Sequence, residues 1–168
     1  MNYTEAKSKY IQAWGTLGTS WGINKAMAQI HALLLISSEP LSTDTIMEEL
    51  NISRGNANMN IRSLMDWGII NKVYVSGERK EFFVSEKDVW SLARQVIKER
   101  RKRELEPVIK VLKEVSTVEF ENDSKESKEF TKMTSELARF SSKIDDMLEL
   151  TIKAEENWFF KSFLKLFK

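Results

Sequence analysis

Residues 42–68 have the sequence STDTIMEELNISRGNANMNIRSLMDWG, whose pattern predicts two short helices joined by a tight turn. Ser42 and Ser53 are typical N-cap residues, because a serine hydroxyl accepts a hydrogen bond from an amide at a helix start. The first helix is predicted over residues 43–50. The second starts after Ser53 and stops at Gly68, a usual left-handed residue at a helix end. Two helices in this arrangement make a helix-turn-helix.

The period of the sequence changes after the second helix. Residues 69–75 and 81–84 are rich in β-branched and aromatic side chains, which favours strands. Residues 76–80, SGERK, form a glycine-containing connection of hairpin length between them. A hairpin directly after a helix-turn-helix is the wing of a winged-helix domain. The sequence therefore predicts a mainly α fold with a small β-hairpin wing.

Two further helices are predicted on the N-terminal side. Apolar residues recur at helical spacing over residues 3–17, which indicates the first of them. Three glycines, at positions 15, 18 and 22, are expected to break or loosen this helix. Asn24 is a plausible N-cap for the second helix, which is predicted over residues 25–36.

The C-terminal part is predicted to be helical as well. A helical apolar stripe covers residues 89–115, and Pro107 interrupts it either as a kink or as the first turn of a new helix. A last helix is predicted to start near Ser127. Its apolar residues alternate at intervals of three and four, which is typical of a coiled-coil seam. These seam residues are Phe130, Met133, Leu137, Phe140, Ile144 and Met147. We therefore expect a winged helix-turn-helix domain in residues 1–90 and a helical dimerisation region in residues 91–168.

The composition limits the classes of function. The chain has 168 residues, of which 42% are hydrophobic and 30% are charged, enough apolar material for a core. It has no cysteine, so disulfides and thiolate metal sites are excluded, and the lone His31 is expected to be a packed helix residue. Because no nucleophile, phosphate-binding or paired-carboxylate motif is visible, we expect no enzyme and no cofactor. A signal-peptide core and an apolar run of membrane length are also missing, which favours a cytoplasmic protein without a membrane span.

The second helix of the pair carries the best candidates for function. Asparagine is a poor helix former, because its amide competes for backbone hydrogen bonds, yet three asparagines stand at positions 56, 58 and 60. An asparagine amide can pair with adenine in the major groove, and arginine can bond guanine twice. The alternative is that these side chains only form a polar, solvent-facing side of the helix. The helix-turn-helix around them favours a helix that reads double-stranded DNA.

We predict DNA contacts from the side chains of the second helix, from the helix starts and from the wing. The helix start offers amides that favour phosphate, although capping alone explains the serines there. A cation in the wing can enter the minor groove or lie against phosphates. The predicted DNA-binding residues are Ser42, Thr43, Ser53, Arg54, Asn56, Asn58, Asn60, Arg62, Arg79 and Lys80.

Other features leave alternatives open. The formal net charge is only +1, and the basic run of residues 98–103 could flank DNA or line a linker helix equally well. The aromatic stretch of residues 158–168 favours a dimer interface over contact with a membrane surface. A winged-helix module that binds protein instead of DNA is the alternative function. The asparagine-rich helix argues against that function, and the near-neutral charge argues mildly for it.

Five blocks of the sequence resemble the GbsR branch of the MarR-type regulators. They are residues 21–27 (WGINKAM), 39–42 (EPLS), 52–62 (ISRGNANMNIR), 67–68 (WG) and 76–80 (SGERK). The blocks follow the family's order over residues 14–90. The resemblance implies a winged helix-turn-helix repressor with N- and C-terminal dimerisation helices. We therefore expect a homodimer on a two-fold operator, with any small-molecule effector unidentified.

Overall fold

A computed structural model of the chain describes residues 1–121 and 124–153. Two compact units are formed, one of which is Met1–Leu92 while the other begins at Ala93. The elements of the first unit are α1 (Tyr3–Ser20), α2 (Lys25–Ile36), β1 (Leu41–Ser42), α3 (Thr43–Leu50), α4 (Arg54–Asp66), β2 (Ile70–Val73) and β3 (Phe82–Ser85). The chain continues through α5 (Val89–Arg100), a π-helical segment (Arg101–Leu105), α6 (Glu106–Ser116) and α7 (Lys125–Lys153). The predicted winged helix-turn-helix fold is confirmed.

The ends of α3 and α4 are set by the residues that the sequence indicated. The Ser42 hydroxyl accepts a hydrogen bond from the Thr45 amide at 3.2 Å, and the Ser53 hydroxyl accepts one from the Asn56 amide at 3.3 Å. Asn51 joins the two helices with a left-handed φ of 50°. These local bonds fix where each helix starts and therefore how α4 is presented.

The core of the first unit is built around α2. Ile30 and Ile46 are fully buried, and at most 2% of Leu33, Ile61 and Leu64 is exposed. Burying one such side chain contributes roughly 1.5–3 kcal/mol to folding. Since Ile61 and Leu64 lie on one side of α4, this packing holds that helix by a single face and turns the opposite face outward.

A short strand that the sequence analysis did not predict completes the sheet. The strand order is β1-β3-β2, with Leu41 opposite Phe83 and Lys72 also opposite Phe83 on the other side. Both pairings are antiparallel. Because β1 leads directly into α3, its pairing ties the wing to the start of the helix-turn-helix.

The prediction that three glycines break or loosen the first helix was wrong for two of them, because α1 continues through Gly15 and Gly18 to Ser20; Gly22, with a φ of 74°, follows the C-cap Trp21 at the end of the helix. A Cβ atom at Gly18 would lie 2.5 Å from the Cβ atom of Ala28 on α2, which is inside van der Waals contact. Gly18 therefore permits the close crossing of α1 and α2.

The second unit contains a helical pair formed by α6 and α7. Ile109 of α6 and Ala138 and Thr134 of α7 are buried. Pro107 lies in the first turn of α6, directly after the π-helical segment. The backbone at Arg100, Leu105 and Glu106 is right-handed helical, so the chain stays helical through this segment. No described helix is long and apolar enough to cross a membrane. The aromatic stretch of residues 158–168 lies outside the described residues.

Lys87 closes the C-terminal end of α2, which leads to a prediction about stability. Its Nζ donates hydrogen bonds to the carbonyl oxygens of Leu34, Leu35 and Ser37 at 2.8, 2.8 and 2.7 Å. Lys87→Met keeps an unbranched apolar side chain but removes the cation from the last carbonyls. We expect it to lower the free energy of unfolding by about 1–2 kcal/mol.

Urea denaturation at neutral pH measures this loss. Lys9→Met, at an exposed position of α1, serves as the control for a lysine-to-methionine change. Equal unfolding midpoints for the two variants would show that the Lys87 contacts add nothing.

Candidate nucleic-acid interface

The outward face of α4 is polar along most of its length. Its exposed residues are Arg54, Gly55, Asn58, Met59, Arg62 and Asp66. The core side of the same helix holds it rigidly, so these side chains are displayed from a fixed support. Gly55 has open space where a Cβ atom would lie. No contact within the described part of the chain therefore requires a glycine there, although glycine weakens a helix by roughly 0.5–1 kcal/mol relative to alanine.

Asn60 departs from the expectation that all three asparagines are exposed. Its side chain is only 2% exposed, and Nδ2 donates to the Asn56 carbonyl at 2.8 Å and to Asn56 Oδ1 at 2.6 Å. The physical reason is spacing: residue 60 lies three positions after Ala57 and four before Leu64, on the buried stripe of α4. In this position Asn60 orients the Asn56 amide, while Asn58 stays exposed.

The three predicted residues at the helix starts differ in how exposed their side chains are. The Ser42 side chain is buried, and its hydroxyl is also hydrogen-bonded to the Thr45 hydroxyl at 3.0 Å. Ser53 is exposed and Thr43 is half-buried. Among these three residues, Ser53 is therefore the one whose side chain is open to a ligand without any rearrangement.

The wing displays cations and one aromatic ring. Arg79 and Lys80 are exposed in the loop between β2 and β3, which turns at Gly77 with a φ of 84°. Tyr74 is 85% exposed, and the Lys72 Nζ lies 5.4 Å from the centroid of its ring. Lys72 also forms an ion pair with Glu81 across the strands. Tyr74 is not among the predicted DNA-binding residues, although an aromatic residue beside a wing loop is a recognisable signal.

One carboxylate connects α3, α4 and the wing. Arg54 Nη2 lies 2.5 Å from Asp44 Oδ1, and Lys80 Nζ lies 3.2 Å from Asp44 Oδ2. The hydrogen bond from Arg54, and then the one from Lys80, hold the pKa of Asp44 below its usual value. Two of the predicted DNA-binding cations are thus brought together by an acid that the sequence analysis missed.

The basic run of residues 98–103 is engaged with acids in the second unit. Arg101 Nε and Nη2 donate to the two Asp145 oxygens at 2.6 and 2.9 Å. Arg103 is paired with Glu99 at 3.1 Å. These contacts favour a structural role for the run over one in flanking DNA.

The seam of α7 is an exposed apolar stripe in the single chain. Phe130, Met133, Leu137, Phe140 and Met147 are 44, 42, 46, 62 and 68% exposed, and Ile144 is half-buried. The buried residues Thr134 and Ala138 lie beside the seam, and Thr134 follows Phe130 by one helical turn. The six seam residues are not among those that α7 buries within the described chain.

His31 lies inside the first unit. It is 6% exposed, its Nε2 has no hydrogen-bond partner among the described residues, and its ring centroid is 6.4 Å from that of Trp14. Burial and then the charge of Lys87 lower its pKa to about 4. Over residues 1–121 and 124–153, no group of three or more histidine, aspartate or glutamate side chains could hold a metal ion.

Two helices joined at a left-handed asparagine, an outward polar helix and an attached hairpin together define a winged helix-turn-helix fold. A solved crystal structure of a protein described as a transcriptional regulator has this fold, with a TM-score of 0.67. The match covers 88% of this chain and 95% of that chain at 16% sequence identity. At this identity the likeness shows the fold.

The chain is also similar to a named repressor, the HTH-type transcriptional repressor GbsR of Bacillus subtilis (strain 168). The two are 23% identical over 94 residues, which are 56% of this chain and 52% of the repressor. The chain thus spans about half the length of that relative. No family model matches the sequence. The resemblance to GbsR that the sequence suggested is confirmed by this similarity.

Proposed function

We propose that this protein is a sequence-specific DNA-binding transcriptional regulator, acting as a homodimeric repressor on a two-fold operator in the cytoplasm. The observation that carries this proposal is the outward face of α4, where Asn58 and Arg62 are exposed on a helix anchored by its opposite side. The names of the similar proteins support a regulator over an enzyme. The wider assignment to MarR-type regulators stays a prediction.

In this proposal each subunit places α4 in a major groove. Asn58 and Arg62 read base edges, since amides and guanidinium groups match the hydrogen-bonding pattern of the groove. The side-chain amide of Asn56, which Asn60 orients, also contacts a base edge. Its Oδ1 already accepts a bond from Asn60, so its Nδ2 is the group best suited to a base acceptor.

Phosphate contacts come from the ends of the helices and from the wing. The exposed cations Arg54 and Lys80 meet at Asp44 beside the start of α4, Arg79 is exposed in the wing loop, and the helix starts at Thr43 and Ser53 supply amides. Such contacts set affinity and register but carry no sequence information. The open position at Gly55 fits a close approach of the DNA backbone.

A homodimer is proposed because the α7 seam needs a covering surface. A second copy offers the same apolar stripe, as a two-fold interface requires. Two-fold symmetry would space the two α4 helices by about 34 Å, one turn of DNA. A small-molecule effector would act only if it bound one spacing of the two helices better than another.

Replacing Asn58 tests the role given to α4. Asn58→Ala should weaken binding to the tightest duplex selected from a random library by about 10- to 100-fold for each half-site, because a lost bidentate contact costs about 1–3 kcal/mol and the dimer loses one in each half-site. Binding to unrelated duplexes should hardly change, because the side chain carries no charge.

Fluorescence anisotropy titrations with both duplexes measure this difference. Gln12→Ala, at an exposed position of α1, is the control for removing an amide. If Asn58→Ala and Gln12→Ala bind the selected duplex equally well, α4 does not read bases through residue 58.

A further inference from the structure

Asp44 occupies a place that is unusual for an acid on a proposed DNA-binding surface. Each of its two carboxylate oxygens takes one cation, Arg54 at 2.5 Å and Lys80 at 3.2 Å. The cations come from the first residue of α4 and from the wing loop, whereas Asp44 lies in the first turn of α3. One carboxylate therefore contacts two cations that come from two other elements.

The three side chains of this contact are all partly exposed to solvent. The Arg54 and Lys80 side chains are 62% and 60% exposed, and the Asp44 side chain is 35% exposed. A DNA phosphate approaching these cations would thus meet a carboxylate already seated between them. The phosphate must displace that carboxylate from the cations or share them with it.

We propose that Asp44 is a specificity-determining residue, which holds Arg54 and Lys80 away from phosphates on DNA that α4 cannot read. Non-specific affinity comes from cations that neutralise phosphates and release counterions. Two cations bound to an internal carboxylate contribute little to it. On a matching operator, the base contacts of α4 bring the backbone close enough to compete with Asp44. This inference rests on the proposed function.

The near-neutral charge of the whole chain increases the effect that Asp44 has on non-specific DNA binding. With a formal net charge of +1, the protein has little overall attraction for DNA. A change of one charge at the centre of the surface therefore alters a large part of the non-specific interaction. The same acid also favours the helix, because a negative charge near the N-terminus of α3 interacts well with the helix dipole.

Asp44→Asn tests the proposal because it keeps the shape of the side chain and removes its charge. Affinities for the selected operator and for a random duplex are measured over a range of salt concentrations. We expect the random duplex to bind about tenfold more tightly at low salt. The slope of log affinity against log salt should steepen by up to about 1.8 per subunit, or about 3.6 for the dimer, because each of the two freed cations adds a phosphate contact that contributes about 0.9. The operator should gain less, so the ratio of the two affinities falls.

The control is Asp66→Asn, which removes the same charge from an exposed position at the other end of α4. Adding Lys80→Gln to Asp44→Asn should take back part of the gain in salt slope. In the wild-type background, Lys80→Gln should change the slope much less. Thermal melting of each variant records any loss of stability, which cannot by itself steepen the salt slope.

Three outcomes overturn the proposal. Asp44→Asn leaves the random-duplex affinity and the salt slope unchanged, or it lowers that affinity, or Asp66→Asn produces the same gain. If wild type binds the operator and any of these three outcomes is found, only the role proposed for Asp44 fails. If no variant binds any duplex, the proposed function itself fails and the inference falls with it.

Discussion

Phe140→Glu should leave the protein monomeric and lower operator affinity at least about 100-fold. Phe140 is 62% exposed at the middle of the α7 seam, where the proposed dimer would bury it. An unpaired charge in an apolar interface costs several kcal/mol, and two-fold symmetry would bring two such charges into it. A monomer would also lose the contacts of one half-site.

Sedimentation equilibrium and operator titration measure the two parts of this expectation. Ser135→Glu places the same charge at an exposed position of α7 off the seam, and it should remain dimeric. Circular dichroism checks that both variants keep their helices. A Phe140→Glu protein that is still dimeric at micromolar concentration would place the dimer interface elsewhere.

Acid should destabilise the first unit between about pH 6.5 and pH 4, through His31. The folded pKa of His31 is about 4, whereas an unfolded histidine has a pKa of about 6.5. Above pH 6.5 the His31 ring is neutral in both the folded and the unfolded chain, so it does not change the free energy of unfolding with pH. As the pH falls below 6.5, the unfolded chain takes up a proton that the folded chain refuses, so stability falls. The total loss is about 3 kcal/mol, complete near pH 4.

Urea denaturation at a series of pH values, at fixed protein concentration, measures this slope. His31 is the chain's single histidine. Arg101 keeps the pKa of Asp145 below its usual value, so the stability from that carboxylate is lost only at lower pH. His31→Leu should remove most of the pH dependence between pH 6.5 and pH 4. An unchanged slope in this variant would assign the acid sensitivity to other groups.

Local signals predicted most of the first unit. Asn24, Ser42 and Ser53 cap helices where their side chains indicated, and Gly68 ends α4 with a φ of 67°. Each of these features depends on a few neighbouring residues, so it is visible in sequence. The two longer strands were also predicted, with ends that differ by one or two residues.

Features that depend on distant residues were missed. β1 exists only because Leu41 and Ser42 pair with Phe83 and Phe82, about forty positions away. The Asp44 contact with Lys80 likewise requires the wing to fold back on α3. No local pattern indicates either of these contacts.

Asn60 is a different case, because its burial could have been predicted. The spacing of Ala57, Ile61 and Leu64 already places residue 60 on the buried side of α4. The polar character of asparagine suggested exposure instead. The hydrogen bonds to Asn56 resolve the conflict, since they satisfy the buried amide.

The most direct test of the central claim is selection of bound sequences from a random duplex library by the full chain, followed by salt titration of the enriched duplexes. A dimeric regulator that reads DNA through α4 should enrich an inverted repeat whose half-sites are about one helical turn apart, with affinity falling steeply as salt rises. Failure to enrich any sequence, with binding that does not depend on salt, would contradict the claim. It would favour a winged-helix module that binds protein.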